Sequence, residues 1–227
     1  MINGTDHKGS TYNIGRILAE KLSDADNISE IFLPRDFSDF CCGCTCCFSK
    51  SEDKCPHYQK LRPLTDMIDN ADVLIFTSPV YVYHTTGQMK TFLDHYGWRW
   101  MVHRPEEKMF SKQAAVITTA AGAGMKSAIR DIADSCFFWG IPVTYKFGMA
   151  VKAVNWEAVS PDMKMSIDSA LEKIAGKIKS RYGNVPVPLK TRGFFRIMSL
   201  MQKNGWNKAD MDYWNAKGWT GKKRPWN

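Results

Sequence analysis

Long apolar runs are missing from this chain. Nowhere do the roughly 18 to 20 consecutive apolar residues of a membrane span occur, and Met1-Ile2-Asn3-Gly4 has neither the charged nor the apolar region of a signal peptide. The expectation is a cytoplasmic protein. Acidic residues are scarce at one end: residues 185–227 hold nine Lys and Arg against two Asp and Glu, a surplus of seven that leaves only one for the rest of the +8 chain. A near-neutral body with a basic tail is a different object from a uniformly basic protein. No internal repeat is present. At 227 residues, 44% hydrophobic and 24% charged, the composition excludes disorder and fibrous structure and leaves room for one α/β domain with a tail. A disulfide framework is also excluded, because five of the seven cysteines fall between Cys41 and Cys47, too close together for independent bridges. Metal binding becomes the first alternative.

Apolar runs rich in β-branched residues recur at Ile28–Leu33, Val73–Phe76, Ala114–Thr118 and Ile141–Tyr145. Between them, helical spacing of apolar residues, such as Ile14, Ile17, Leu18 and Leu22, predicts helices over about 11–22, 56–69, 87–96 and 125–138. A fifth helix opens at Ser160-Pro161, a Ser cap followed by Pro in the first turn, and runs to about Tyr182. Strands separated by helices of this length predict βαβ units and a parallel sheet. With the first strand near the chain start, the pattern is a flavodoxin-like doubly wound sheet of five strands, order 2-1-3-4-5, whose ligands sit beyond the carboxyl ends of the strands. The first strand is the anomaly: only Met1-Ile2-Asn3 precedes the first turn, so it is either a stub or longer in the natural chain. Val185-Pro186-Val187-Pro188 ends the alternation and sets the expected boundary between a body of residues 1–184 and an extension of 185–227. The extension is expected to be helical over Gly193–Met201 and Lys208–Ala216, and it holds four of the eight Trp.

Three loops share the ligand-binding edge of such a sheet. Gly4 to Tyr12 is rich in small and hydroxyl residues and carries a cation, which suits wrapping a phosphate at a helix N-terminus; it also suits a plain turn with Ser10 as cap. Ser78 to His84 and Thr118 to Gly124 follow the third and fourth strands, and the glycines of the latter let backbone approach a flat ligand. A ligand with both a phosphate and a large planar ring needs that division of labour.

The cysteines read Cys41-x2-Cys44-x2-Cys47-x7-Cys55-Pro56. Four thiolates on a compact loop meet the ligand requirement of an iron–sulfur cluster. Zinc accepts the same four, and unliganded thiols around a turn remain the bland reading. Cys42 and Cys46 are spare in this register, and Cys136, beside Phe137 and Phe138 in an apolar helix, reads as core.

Taken together these residues resemble the NADPH-dependent FMN reductase family, specifically its iron–sulfur flavoprotein branch. Gly4-Thr5-Asp6-His7-Lys8-Gly9-Ser10-Thr11 is similar to the family's Gly-Ser-Pro-Arg-Lys-x-x-Thr phosphate loop, with Thr5, Asp6 and His7 in place of Ser, Pro and Arg. Ser78-Pro79-Val80-Tyr81 and Gly87–His95 resemble its Ser-Pro-Val-Tyr and Leu-Lys-x-Phe-x-Asp-Arg signatures, and the Cys-x-Gly-Cys-x2-Cys run stands where the branch has its cluster motif. The resemblance covers about residues 1–150 well and implies an FMN-binding body. The phosphate would lie on Thr5, His7, Lys8, Ser10, Thr11 and Tyr12. The ribityl chain and ring edge would lie on Pro79, Val80, Tyr81 and Val82, and the isoalloxazine against Thr119, Ala120, Ala121, Gly122 and Gly124. Cys41, Cys44, Cys47 and Cys55 would hold a 4Fe–4S cluster. No catalytic side chain is nominated, because the flavin carries the redox chemistry.

The leading expectation is an FMN-dependent oxidoreductase taking electrons from NAD(P)H or a reduced carrier protein and serving a small-molecule acceptor, as a homodimer or higher homo-oligomer. A cluster-free NAD(P)H-dependent FMN or quinone reductase is the alternative within the class. From another class comes a zinc-stabilised module whose basic, Trp-rich tail binds nucleic acid or an anionic surface. Against it, the tail aromatics are expected to pack on the body or a second subunit, so neither nucleic acid nor membrane is the expected partner.

Overall fold

The fold was obtained as a computed structural model, which describes residues 1–226; Asn227, the last residue of the extension, lies outside it. Five parallel strands make one sheet in the order β2-β1-β3-β4-β5: β1 Ile2–Asn3, β2 Ile31–Phe32, β3 Val73–Thr77, β4 Gln113–Ala120 and β5 Val143–Ala150. The helices are α1 Ser10–Leu22, α2 Cys46–Ser49, α3 Tyr58–Asn70, α4 Gly87–Asp94, α5 Met125–Trp139, α6 Pro161–Lys179, α7 Leu189–Lys203 and α8 Lys208–Ala216. The flavodoxin-like sheet read from the sequence is therefore the observed one.

Alternation along the strands divides the core. Leu74 and Phe76 of β3 and Ala114 and Val116 of β4 face a cluster with Leu64, Ile68, Phe92, Ile132 and Trp139 from α3, α4 and α5. Ile75, Ala115 and Ile117 face the other way, onto Ile14 and Leu18 of α1 and Ile167 and Leu171 of α6. Period-two strands with a helix layer on each face are what a doubly wound sheet requires. Each fully buried Val, Leu, Ile or Phe in these clusters contributes about 1.5 to 3 kcal/mol.

Some boundaries differ from expectation for identifiable reasons. Of Ile28–Leu33 only Ile31–Phe32 pairs, because its partner β1 is itself two residues long and offers no further ladder. The fifth strand runs later than expected, Val143–Ala150 rather than 141–145, in register with the whole of β4 from Gln113 to Ala120. Ser160 caps α6 through Met163 N at 3.3 Å with Pro161 in the first turn, as its sequence demands. Helix α7 starts at Leu189 instead of Gly193, since Thr191, Phe195, Met198 and Gln202 extend one buried stripe back past the glycine.

The extension packs on the body through its own cluster. Phe195, Met198, Trp214 and Trp219 enclose Met101 and Phe110, with Phe137 and Trp226 at the margin. Trp214 and Trp219 are fully buried, whereas Trp206 is exposed. No helix among the described residues is long and apolar enough to cross a membrane.

Candidate functional site

The loops after β1, β3 and β4 are tied into one surface at the carboxyl edge of the sheet. Gly4 N donates to Thr77 O at 2.7 Å, and Thr86 Oγ1 donates to Gly4 O at 2.7 Å. Thr77 Oγ1 donates to Asn3 Oδ1 at 2.7 Å, and Thr11 Oγ1 meets Thr119 Oγ1 at 2.5 Å, both buried. Val80 N reaches Thr119 O at 2.9 Å. The residues nominated from sequence on these loops are thus neighbours in space.

The first loop leaves donors free for an anion. The first backbone bond of α1 runs from Asn13 N to Gly9 O at 3.0 Å, so the amides of Ser10, Thr11 and Tyr12 have no partner within the helix. Gly9 provides no side-chain cap, and the first turn has no acidic residue. Ser10 is therefore the first helical residue rather than the cap. Lys8 Nζ lies 5.1 Å from the Tyr12 ring centre and 5.3 Å from that of Phe32. The His7 ring folds back over Gly9, and Thr5 Oγ1 donates to His7 O at 3.3 Å.

After β3, Ser78 is the hub. Its buried Oγ accepts from Thr85 Oγ1 at 2.8 Å and Thr86 N at 3.0 Å, and Thr86 caps α4 through Met89 N at 3.2 Å. Between them, Tyr81 and His84 bridge across a two-residue turn in which Val82 (φ 47°) and Tyr83 (φ 66°) are both left-handed. A β-branched residue in that region is strained. Tyr81, Val82 and Tyr83 are exposed and cover no core. Asp131 of α5 holds the far side, accepting from Thr85 N at 3.1 Å with His84 Nδ1 3.0 Å away.

At the end of β4, Thr119 is buried and Ala120 half-buried, and after it Ala121 and Gly122 are exposed. Gly124, at φ +98°, starts α5; a Cβ there would stand 2.6 Å from Val80 Cγ1. One at Gly122 would meet nothing within 4 Å. Thr118 Oγ1 is buried without a partner. Orphan helix amides, hydroxyls and a shelf of small residues beside exposed aromatics fit a ligand with a phosphate at one end and a flat ring at the other. Among the nominated residues, none carries a carboxylate.

The Cys loop follows β2 and packs toward α3 and the end of α4, with Asp39 on Lys60 and His57 on His95. Gly43 (φ 66°) and Thr45 (φ 58°) turn it, and Phe48 packs on Gly97 and on His103, ring centres 4.7 Å apart. Cys41 and Cys44 are exposed; Cys47 and Cys55 are half-buried, and all are free thiols. Burial, then the charges of Cys55, Cys41 and Cys44, push the Cys47 thiol up to about 11. Burial also raises Cys55. The Cys46 amide and thiol, with help from Cys42, lower Cys44. Cys136 is fully buried and pushed up to about 12 by that burial, as a core residue should be. The donor set fits a thiolate-ligated metal in type and number. Among the described residues, no three His, Cys, Asp or Glu side chains already stand together as metal ligands, so binding would have to draw the thiols in.

Sequence reading missed several participants. Arg35, after β2, lies 3.3 Å from Asp6 and stacks on Phe32 at 4.5 Å, placing a permanent cation beside the first loop, where His7 offers none. Asp131 and Thr85 were missed because their partners are distant in sequence. His57 Nδ1 and His95 Nε2 are 2.9 Å apart beside the Cys loop; His95 Nδ1 faces Thr91 O at 2.8 Å and so carries the proton.

A family described as NADPH-dependent FMN reductase matches residues 1–155. An iron–sulfur flavoprotein of Archaeoglobus fulgidus is 28% identical over 216 residues, covering 91% of this chain and 93% of that protein. The apo crystal structure of an NADH:FMN oxidoreductase superposes with TM-score 0.52 at 19% identity, over 84% of this chain and 91% of that one. An azoreductase from Bacillus anthracis gives 0.54 at 13% identity, over 80% and 97%. The two structural likenesses speak for the fold.

Proposed function

The chain belongs to the NADPH-dependent FMN reductase family, and from that premise we propose that this FMN-dependent oxidoreductase carries a 4Fe–4S cluster on Cys41, Cys44, Cys47 and Cys55. When bound, FMN supplies two-electron acceptance from NAD(P)H and one-electron release.

The chain's own residues supply the binding. In this reading the amides of Ser10, Thr11 and Tyr12, with the hydroxyls of Thr5, Ser10 and Thr11, take the phosphate at the positive end of α1. Lys8 adds charge from the loop's exposed side, Arg35 offsets Asp6 and Asp36 beside it, and His7 adds a donor. Pro79, Val80, Tyr81 and Val82 would hold the ribityl chain and ring edge, and Thr119, Ala120, Ala121, Gly122 and Gly124 the isoalloxazine. The hydrogen bond from Val80 N to Thr119 O ties those two loops together. With no carboxylate among these residues, backbone N–H groups would be left to meet the ring, which would favour negative charge developing there.

One observation supports the four-Cys register. The Cys47 thiol feels Cys55, Cys41 and Cys44, so these four share one neighbourhood, and the Cys41-x2-Cys44-x2-Cys47 spacing picks them over Cys42, which Cys55 also feels. The resemblance to the Archaeoglobus fulgidus iron–sulfur flavoprotein favours iron over zinc as occupant. Burial of Trp214 and Trp219 removes two of the stacking surfaces a nucleic-acid module would use.

The remaining parts of the proposal are a homo-oligomer, an acceptor of small-molecule or carrier-protein type, and the division at residue 184. Exposed Leu189, Ile197, Leu200 and Met201 on α7 support self-association. The cluster-free reductase is the alternative. The deciding experiment is the visible spectrum and iron content of protein purified without oxygen, for wild type and Cys44→Ser. Expected are flavin bands over a broad iron–sulfur background in wild type, and flavin alone in the variant. Flavin alone in both would leave the cluster-free reductase, and unchanged iron in Cys44→Ser would refute the assignment.

A further inference from the structure

The role of the C-terminal extension is legible in its contacts with α2. Arg104 is buried, and its guanidinium has three protein acceptors. One is the Asp210 carboxylate of α8, and the others are the carbonyls of Cys47 and, at 3.3 Å, Phe48. Asp210 is itself 1% exposed and takes His103 Nδ1 at 2.7 Å as its second partner. A second tie comes from Asn207, whose Nδ2 donates to Phe48 O at 3.0 Å while its Oδ1 caps α8 through Ala209 N at 3.0 Å.

Helix α2 needs these ties. It is a single four-residue turn after two left-handed residues, far below the length at which a helix holds itself. Cys46 O is met by Lys50 N, but the carbonyls of Cys47 and Phe48 have no helical partner, and Arg104 and Asn207 supply one. A guanidinium suits the task because its rigid fork reaches two carbonyls and a carboxylate together. The neutralising charge, Asp210, comes from the extension. Without it, Arg104 would be an unpaired buried cation, driven toward water and away from Cys47 O.

We propose that Asp210 and Arg104 are positioning residues for the Cys loop, so that the extension decides whether Cys47 is held where a cluster needs it. This rests on the cluster reading above, but the clamp itself can be measured without a cluster.

The experiment uses full-length, cluster-free protein and follows iodoacetamide alkylation of Cys47 by peptide mass spectrometry. Asp210→Asn is expected to raise the Cys47 rate about tenfold or more, because the loop opens locally more often. Flavin content should stay at the wild-type level, and iron and sulfide uptake on anaerobic reconstitution should fall. Asp210→Glu, which restores the charge, should recover part of both readouts. Met198→Ala, which weakens the extension's core without touching the clamp, should lower melting temperature yet leave Cys47 reactivity at the wild-type rate. Where Asp210→Asn does not fold, Asn207→Asp keeps an oxygen to cap α8, removes the donor to Phe48 O and should still raise the rate severalfold. A Cys47 rate within about twofold of wild type in both clamp variants, or no higher than in Met198→Ala, would overturn the proposal. Wild-type protein that takes up no iron would overturn the cluster reading instead, while the alkylation ratio would still decide the clamp.

Discussion

Two glycines two residues apart separate the scaffold of the flavin edge from its proposed ring seat. Gly124 is at φ +98°, and a Cβ there would come within 2.6 Å of Val80 Cγ1 and 3.1 Å of Tyr83 Cα. Replacing it by Ala should cost about 1 to 2 kcal/mol for the left-handed backbone. Overpacking against the β3 loop should add roughly 1 to 3 kcal/mol. For a chain of this size, where each kcal/mol moves the melting temperature about 2 to 4 °C, the total is a fall of roughly 4 to 20 °C. Gly122 has no such constraint, and its Cβ would point into open space. Gly122→Val should therefore leave the melting temperature of flavin-free protein within a degree or two, about the size expected of a surface change. If the ring lies on this loop, the branched side chain should still weaken FMN binding by about tenfold or more, or roughly 1.4 kcal/mol. The assays are thermal melts of flavin-free protein and titration of FMN by fluorescence quenching. Wild-type FMN affinity in Gly122→Val would remove the β4 loop as ring seat. A Gly124→Ala protein as stable as wild type would refute the close approach of the β3 and β4 loops.

Other perturbations reach other parts of the site. Cys42→Ser and Cys46→Ser should retain wild-type iron content; loss of iron in either would shift the ligand register. Ser78→Ala strands the Thr85 hydroxyl and Thr86 amide in a buried site, and should cost about 1 to 3 kcal/mol in urea unfolding; a loss below half a kcal/mol would demote Ser78 from its place as hub. Burial lowers the His95 pKa, so the unfolded chain binds a proton that the native fold refuses. That contribution is complete above the ordinary histidine value of about 6.5 and fades as pH falls below it. Between pH 7 and 5.5 wild type should lose stability more steeply than His95→Gln, and equal slopes would sink the argument.

Much of the fold was legible because local pattern and tertiary demand agree. The alternation of Leu74, Ile75 and Phe76 assigns each residue to a face of the sheet before any partner is known, and the observed core divides along those lines. Legibility failed where length or pairing depended on a distant partner. Nothing within Ile28–Leu33 reveals that β1 offers only two residues to pair with, and nothing near Gly193 reveals that α7 buries Thr191. That the loops after β1, β3 and β4 share one edge was legible for a topological reason: a parallel sheet puts those exits on one side, whatever the loops contain.

What holds those loops in place was not legible. The locks are single hydrogen bonds across separations of 74 to 108 residues, such as Thr77 to Asn3, Thr86 to Gly4 and Thr11 to Thr119. Each uses a residue type too common to stand out. The same limit applied to the extension, which read as a basic, Trp-rich tail because composition registers charge and aromatic content but not direction. Its cations invited a search for an anionic partner outside the chain. The residue that ties it to the Cys loop is instead one of its two acids, Asp210, facing Arg104 from 106 positions away. A buried carboxylate in a segment so rich in Lys and Arg would be a poor choice for a surface that binds anions. It makes sense where its counterion, Arg104, already carries the backbone of the Cys loop, because burying one charge then fixes the other.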